Sequence, residues 1–194
     1  MKWVIINDSY LDYLRKNGDT RIPYSNYGTD KYKPFFGELF TIGDYSYVTQ
    51  VTSYKARLER IKEDKDFYKI YRQNKLVAAV NLNYMFPILT SKLKYLDNYN
   101  DISQYRTFKS GNEKSKYISF LKYELSEINK KPLTISAKFL YNVKYDKPNN
   151  KISKRCLDFK KLETICSQYF KILKIQQLAQ YNQNTNENKS IPKM

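Results

Sequence analysis

The sequence predicts an α+β fold, and three observations carry the prediction. Residues 2–89 are broken into short runs of Val, Ile, Tyr and Phe separated by turn residues, which is strand spacing. Beyond residue 114 the apolar positions recur with a helical period instead. Strands gathered ahead of helices, rather than alternating with them, point away from a parallel α/β sheet. The 194 residues suit one domain, and only 5 of them are Gly, which argues against a glycine-rich nucleotide fold.

Taken in order, Lys2–Ile6 reads as a short buried strand. Asn7 or Asp8 can cap the helix S-Y-L-D-Y-L-R-K, in which Tyr10, Leu11 and Leu14 share a face and Asn17-Gly18 is the stop. Residues 19–33 form a long polar loop. Phe35–Ile42 and Tyr45–Val51 read as antiparallel strands around the turn Gly43-Asp44. The charged segment Ser53–Lys65 is expected to be partly helical. Phe67–Tyr71 and Leu76–Val80 form a second hairpin about Gln73-Asn74, and Met85–Leu89 adds a strand that Pro87 assigns to a sheet edge. The first half is thus a mostly antiparallel sheet with one early helix. Three helices follow: Lys114–Asn129, with Tyr117, Ile118, Leu121, Leu125 and Ile128 as its apolar positions; Thr134–Tyr145, opened by Pro132; and Asp158–Leu173. Residues 1–179 are read as the folded domain. Residues 180–194, rich in Asn and Gln, are read as a disordered tail.

The formal net charge is +16, from 35 basic and 19 acidic residues. Such a surplus is the footprint of a polyanionic partner, nucleic acid or an anionic surface. A compositional origin competes with it, because the 28 Lys and 17 Asn belong to residue types with AT-rich codons. No apolar run approaches 18 residues, so no membrane span is expected and the protein reads as cytoplasmic. The chain contains no His. That removes histidine general acid–base pairs, Ser-His-Asp and Cys-His arrangements, and His-containing zinc sites. Cys156 and Cys166 are too few for a thiolate-only zinc site and read as buried reduced thiols. Glu38, Asp44, Asp64 and Asp66 lack metal-ligand spacing, so neither a metal nor a cofactor is expected.

Two constellations remain. Lys33 opens one strand of the first hairpin (K-P-F-F-G), and Thr52, Ser53 and Lys55 close the other (V-T-S-Y-K). Those ends are neighbours in an antiparallel pair. The pairing gathers two amines and two hydroxyls, which suits a phosphate group. RNA carries its own nucleophile, the 2′-OH, so such a cluster can cleave it if a lysine of lowered proton affinity assists. A purely structural alternative is Ser53 as N-cap of a helix over residues 54–61. The second constellation interleaves Tyr24, Tyr27, Tyr32 and Tyr54 with Arg21, Lys31, Lys33, Lys55, Arg57 and Arg60. Aromatic faces stack on unpaired bases while cations meet phosphates. A tyrosine-rich surface of biased composition is the competing account.

With these residues in view, the sequence resembles the ToxN/AbiQ family, endoribonuclease toxins of type III toxin–antitoxin systems linked to phage abortive infection. The likeness is carried by S-Y-L-D-Y-L-R-K, I-P-Y, K-P-F-F-G, V-T-S-Y-K, V-N-L-N-Y-M-F-P-I and K-Y-L-D, in that order, and spans about residues 3–175. The resemblance implies a compact, strongly twisted antiparallel sheet flanked by helices, with a Kid/MazF-like core. It implies metal-independent cleavage leaving 2′,3′-cyclic phosphate and 5′-OH ends. It also implies inhibition by a small repeat RNA folded as a pseudoknot, which in some relatives joins the toxin in a closed hetero-oligomer. The family's active-site lysine falls on Lys33, its hydroxyl pair on Thr52 and Ser53, its following lysine on Lys55 and a helix tyrosine on Tyr10; a loop tyrosine falls on Tyr27 or Tyr32. The rival from another class is a basic RNA-binding protein without catalysis.

Overall fold

A computed structural model describes residues 1–187. The chain opens with β1 (Lys2–Ile5) and α1 (Asp8–Asn17). Asn7 is the N-cap, its side chain accepting the Ser9 N–H at 2.8 Å. Tyr10, Leu11 and Leu14 face the core, each at most 1 % exposed; burying one such side chain stabilises the fold by about 2 kcal/mol. Gly18 ends the helix for reasons of space. A Cβ there would come within 2.7 Å of the Leu162 side chain and the Leu14 carbonyl.

Seven strands follow before the helical half: β2 (Phe35–Gly37), β3 (Thr41–Ile42), β4 (Tyr45–Val48), β5 (Val51–Ser53), β6 (Phe67–Arg72), β7 (Lys75–Asn81) and β8 (Phe86–Leu89), then a two-residue β9 (Lys94–Tyr95). They form three antiparallel three-stranded sheets in the orders β2-β1-β9, β3-β4-β8 and β5-β7-β6. The strand expected over 35–42 is therefore two pieces. Gly37 packs against β4, where a Cβ would meet the Val48 side chain at 2.8 Å, and Phe35, Phe36, Leu39 and Phe40 are all buried. Antiparallel contact nevertheless persists through the break, with Phe36 and Thr49 exchanging backbone bonds of 2.8 and 3.0 Å. That continuity carries Lys33 to the end of β5. Pro87 lies on an edge strand, as its missing N–H requires.

The helices are α2 (Gly111–Asn129), α3 (Leu133–Asp146), α4 (Lys151–Arg155) and α5 (Phe159–Glu187). They pack on the sheets around one core that includes Trp3, Phe35, Phe86, Leu140 and Phe159. β9 and α4 were not expected, because two and five residues carry too little periodicity to read. The segment 53–65 contains only one 3-10 turn, Ala56–Leu58, not a longer helix. The boundary expected at residue 179 falls inside α5, which runs helical to Glu187; the rest of the expected tail lies outside the described residues. Both cysteines are buried free thiols, pushed up by burial to about 11. No helix among the described residues is long and apolar enough to cross a membrane.

Candidate active site

The site lies where β5 meets the segment leading into β2. A cavity of about 300 Å³ opens there, and Tyr27, Lys33, Thr52, Ser53, Lys55 and Arg57 line it. β5 pairs with β7 so that Thr52 faces Ala79 and Ser53 faces Ala78. Two alanines across the ladder leave no bulky side chain to cover the hydroxyls. After Ser53 the chain turns away through the 3-10 turn, and Leu58, 3 % exposed, pins that turn in a small cluster with Phe67 and Ala79. The turn holds Lys55 and Arg57 at the rim, both exposed.

Lys33 reaches in from the opposite side. Its Nζ donates to Ser53 Oγ at 2.6 Å and stands 5.6 Å from the centre of the Tyr27 ring. An ammonium can only donate, so Ser53 accepts here and its own O–H stays free to donate. Ser53 therefore does not cap a helix; the flanking residue of the 3-10 turn is Lys55, with no side-chain cap. Burial draws the Lys33 ammonium below the ordinary lysine range, Lys55 and Arg106 pull the same way, and Glu124 opposes them.

Sequence reasoning missed other residues of the cavity wall, Gln50, Asn81 and Tyr84 among them. Gln50, 7 % exposed, donates from Nε2 to the carbonyls of Tyr24 and Lys33 at 2.9 and 3.0 Å, stitching the tyrosine loop to the strand that carries the hydroxyls. Its signal was a polar residue inside V-T-Q-V, between strand formers. Asn81 and Tyr84 line the far wall. A fourth, Glu124 of α2, stands behind the cavity with Lys33 and Ser53.

Other expected residues lie elsewhere. Tyr10 is 1 % exposed and donates to the Pro87 carbonyl at 2.6 Å, so it belongs to the core. Tyr32 is 4 % exposed, stacks on Tyr105 with centroids 5.2 Å apart and does not line the cavity. Burial closes both rings to stacking with a base. Arg21 is paired with Asp19 at 2.7 Å and donates to the Arg155 carbonyl at 3.0 Å. Lys31 is exposed in the loop, and Tyr54 donates to Glu59 at 2.7 Å; neither lines the cavity. Of the carboxylates, Asp66 is buried and taken up by Arg155 and Asn83 at 2.7 and 2.6 Å.

Fold and site together define a class: a basic α+β protein with a histidine-free lysine–hydroxyl site suited to a phosphodiester. Comparison with known proteins narrows it. The chain belongs to the family of the toxin ToxN of type III toxin–antitoxin systems, whose model matches residues 2–167. It is 30 % identical over 103 residues to the endoribonuclease ToxN of Pectobacterium atrosepticum, a match covering 50 % of this chain and 59 % of that protein, little more than half its length. Among solved structures it is similar to AbiQ, a lactococcal anti-phage endoribonuclease of a type III system, with a TM-score of 0.65 and 19 % identity over 88 % of this chain and 98 % of AbiQ. It is also similar to a structure from a bacterial type III system whose toxin is selectively inhibited by a non-coding RNA pseudoknot, with a TM-score of 0.64 and 20 % identity over 87 % of this chain and 96 % of the other. At these identities the structural likeness concerns the fold.

Proposed function

We propose that this chain is a metal-independent endoribonuclease toxin that cleaves RNA by attack of the 2′-OH on the adjacent phosphorus. The P–O5′ bond breaks, leaving a 2′,3′-cyclic phosphate and a 5′-OH. The observation that carries the reading is the Lys33–Ser53 hydrogen bond of 2.6 Å inside a cavity that Thr52 and Lys55 also line. In this reading the Lys33 and Lys55 ammonium groups meet the charge that builds on the non-bridging oxygens, and the free O–H of Ser53 donates to one of them. Lysine can also move protons in a chain without histidine, and the lowered proton affinity of Lys33 suits it to do so. The proton lost by the 2′-OH and the proton gained by the 5′ oxygen balance, so the step consumes nothing. Tyr27 offers a half-exposed ring to a base, and Arg57 a cation to a flanking phosphate.

The named relatives supply the biological setting. A small repeat RNA folded as a pseudoknot would occupy this basic surface as the antitoxin, in a protein–RNA hetero-oligomer, and release of the toxin in the cytoplasm would abort phage infection. The test is RNA cleavage in excess EDTA by wild type and Ser53→Ala, with the fragment ends determined. Cyclic-phosphate ends formed in EDTA and lost in the variant support the reading. Tight RNA binding with no cleavage at any metal concentration would favour a binding protein instead, and cleavage only with added metal would remove the mechanism.

A further inference from the structure

Glu124 is the unexpected member of the site. It sits on the buried face of α2 with Leu121 and Ile128 and is 5 % exposed. A buried carboxylate normally has an ion-pair or hydrogen-bond partner. Among the described residues the charge acting in its favour is Lys33, and that ammonium donates to Ser53. Glu124, Lys33 and Ser53 share the wall of a small cavity of about 40 Å³, which Trp3, Tyr117 and Leu121 also line. That is room for roughly one water molecule. Burial raises the Glu124 carboxyl to about 7, with Lys33 opposing.

Charged and titratable groups among the described residues lie around it. Lys33 comes from the segment before β2, with Lys55 beyond it; Tyr117 comes from α2 itself and is pushed up to about 12 by burial. Arg106 lies over the Tyr117 ring at 4.2 Å and pairs with Glu113 at 3.6 Å. The chain has no histidine, so none of these neighbours is an imidazole.

We propose that Glu124 is a proton-accepting wall of the phosphate site: when a phosphodiester settles against Lys33 and Ser53, the Glu124 carboxyl becomes more fully protonated by uptake from the solvent, so RNA binds more tightly in mildly acid than in mildly alkaline solution. The cause is electrostatic. A phosphate anion shares the Lys33 cation and repels a second negative charge behind it. Reciprocally, an ionised Glu124 weakens the hold of Lys33 on phosphate. Glu124 would thus be a positioning residue, acting on RNA through Lys33. The inference rests on the reading of this cavity as the RNA site.

The test is binding of a short 2′-O-methyl oligonucleotide of randomised sequence, which cannot be cleaved, between pH 5.5 and 8.5 at fixed salt. For wild type the affinity is expected to rise about tenfold from the alkaline to the acid end. Glu124→Gln, which mimics the protonated state, should bind with the acid-limit affinity throughout. Calorimetry of wild type at pH 7.5 in two buffers of different ionisation enthalpy gives a second readout, independent of whether the variant folds, and should register proton uptake. A flat wild-type profile without proton uptake would overturn the inference alone, as would the same slope surviving in Glu124→Gln. Absence of oligonucleotide binding at every pH would overturn the RNA reading and the inference with it.

Discussion

The front and back of the cavity hold their charges in different surroundings, two cations at the front and a cation with a carboxyl at the back. At the front, Lys55 and Arg57 are exposed on a turn. At the back, Lys33 and the buried Glu124 line one small cavity together with Ser53. Charges in water are cheap to hold and easily screened, so the front can attract any phosphate chain without selecting a single geometry. Charges at the back have lost water: burial draws Lys33 down and drives Glu124 up, and each opposes the other's shift. On the proposed function Arg57 serves attraction, Ser53 and Lys33 serve chemistry and Lys55 serves both, so substitutions at Arg57 and Ser53 should separate the two.

The largest expected effect is at the back. Ser53→Ala removes the free O–H and should lower single-turnover cleavage by about 100- to 1000-fold, while affinity for a 2′-O-methyl oligonucleotide changes by less than about twofold. Equal loss of binding and cleavage would show that Ser53 belongs to the attracting group instead. Next comes stability. A carboxyl whose folded-state pKa lies above its unfolded value stabilises fully below the unfolded value and loses that contribution as pH rises through the folded one. For Glu124 the window runs from 4.5 to about 7. Urea unfolding should therefore show a decline across that window of up to roughly 3 kcal/mol. Glu124→Gln should remove the decline, and an unchanged curve would mean that the carboxyl is solvated after all.

Gln50→Ala tests the stitch between the tyrosine loop and the strand that carries the hydroxyls. It leaves the Tyr24 and Lys33 carbonyls without their donor, and should destabilise by about 1–3 kcal/mol and slow cleavage more than it weakens binding. Smallest is Arg57→Ala. Binding should weaken a few-fold, with the salt dependence of log K reduced by about 0.7 for single-stranded RNA and the saturated cleavage rate unchanged. A fall in that rate would place Arg57 at the back.

The same contrast explains what the sequence revealed. Lys33 and Ser53 could be paired without knowing the fold, because the two ends of an antiparallel hairpin must meet, and the interruption at Gly37 did not break that geometry. The hairpins around Gly43 and Asn74 were legible from turn residues, and α2 and α3 from their periods. The tyrosines were not separable by sequence. Tyr27 is half exposed at the cavity, while Tyr10 and Tyr32 are core residues, because a phenol can present its ring either way and only packing decides. Glu124 was missed for a related reason. It falls within the apolar stripe of Tyr117, Leu121 and Ile128, where a glutamate looks like an irregularity in a surface helix. An acidic residue on the apolar face of a helix, in a chain without histidine, was the signal to follow.

The central claim is that this site uses the RNA's own 2′-OH. The direct measurement is single-turnover cleavage of one oligoribonucleotide, mapped to its cut position, against the same molecule with a single 2′-deoxy sugar on the 5′ side of that bond. The account expects the deoxy substrate to bind with unchanged affinity and to resist cleavage at that position, with EDTA making no difference to either molecule. Cleavage of the deoxy-substituted bond at a comparable rate would contradict it.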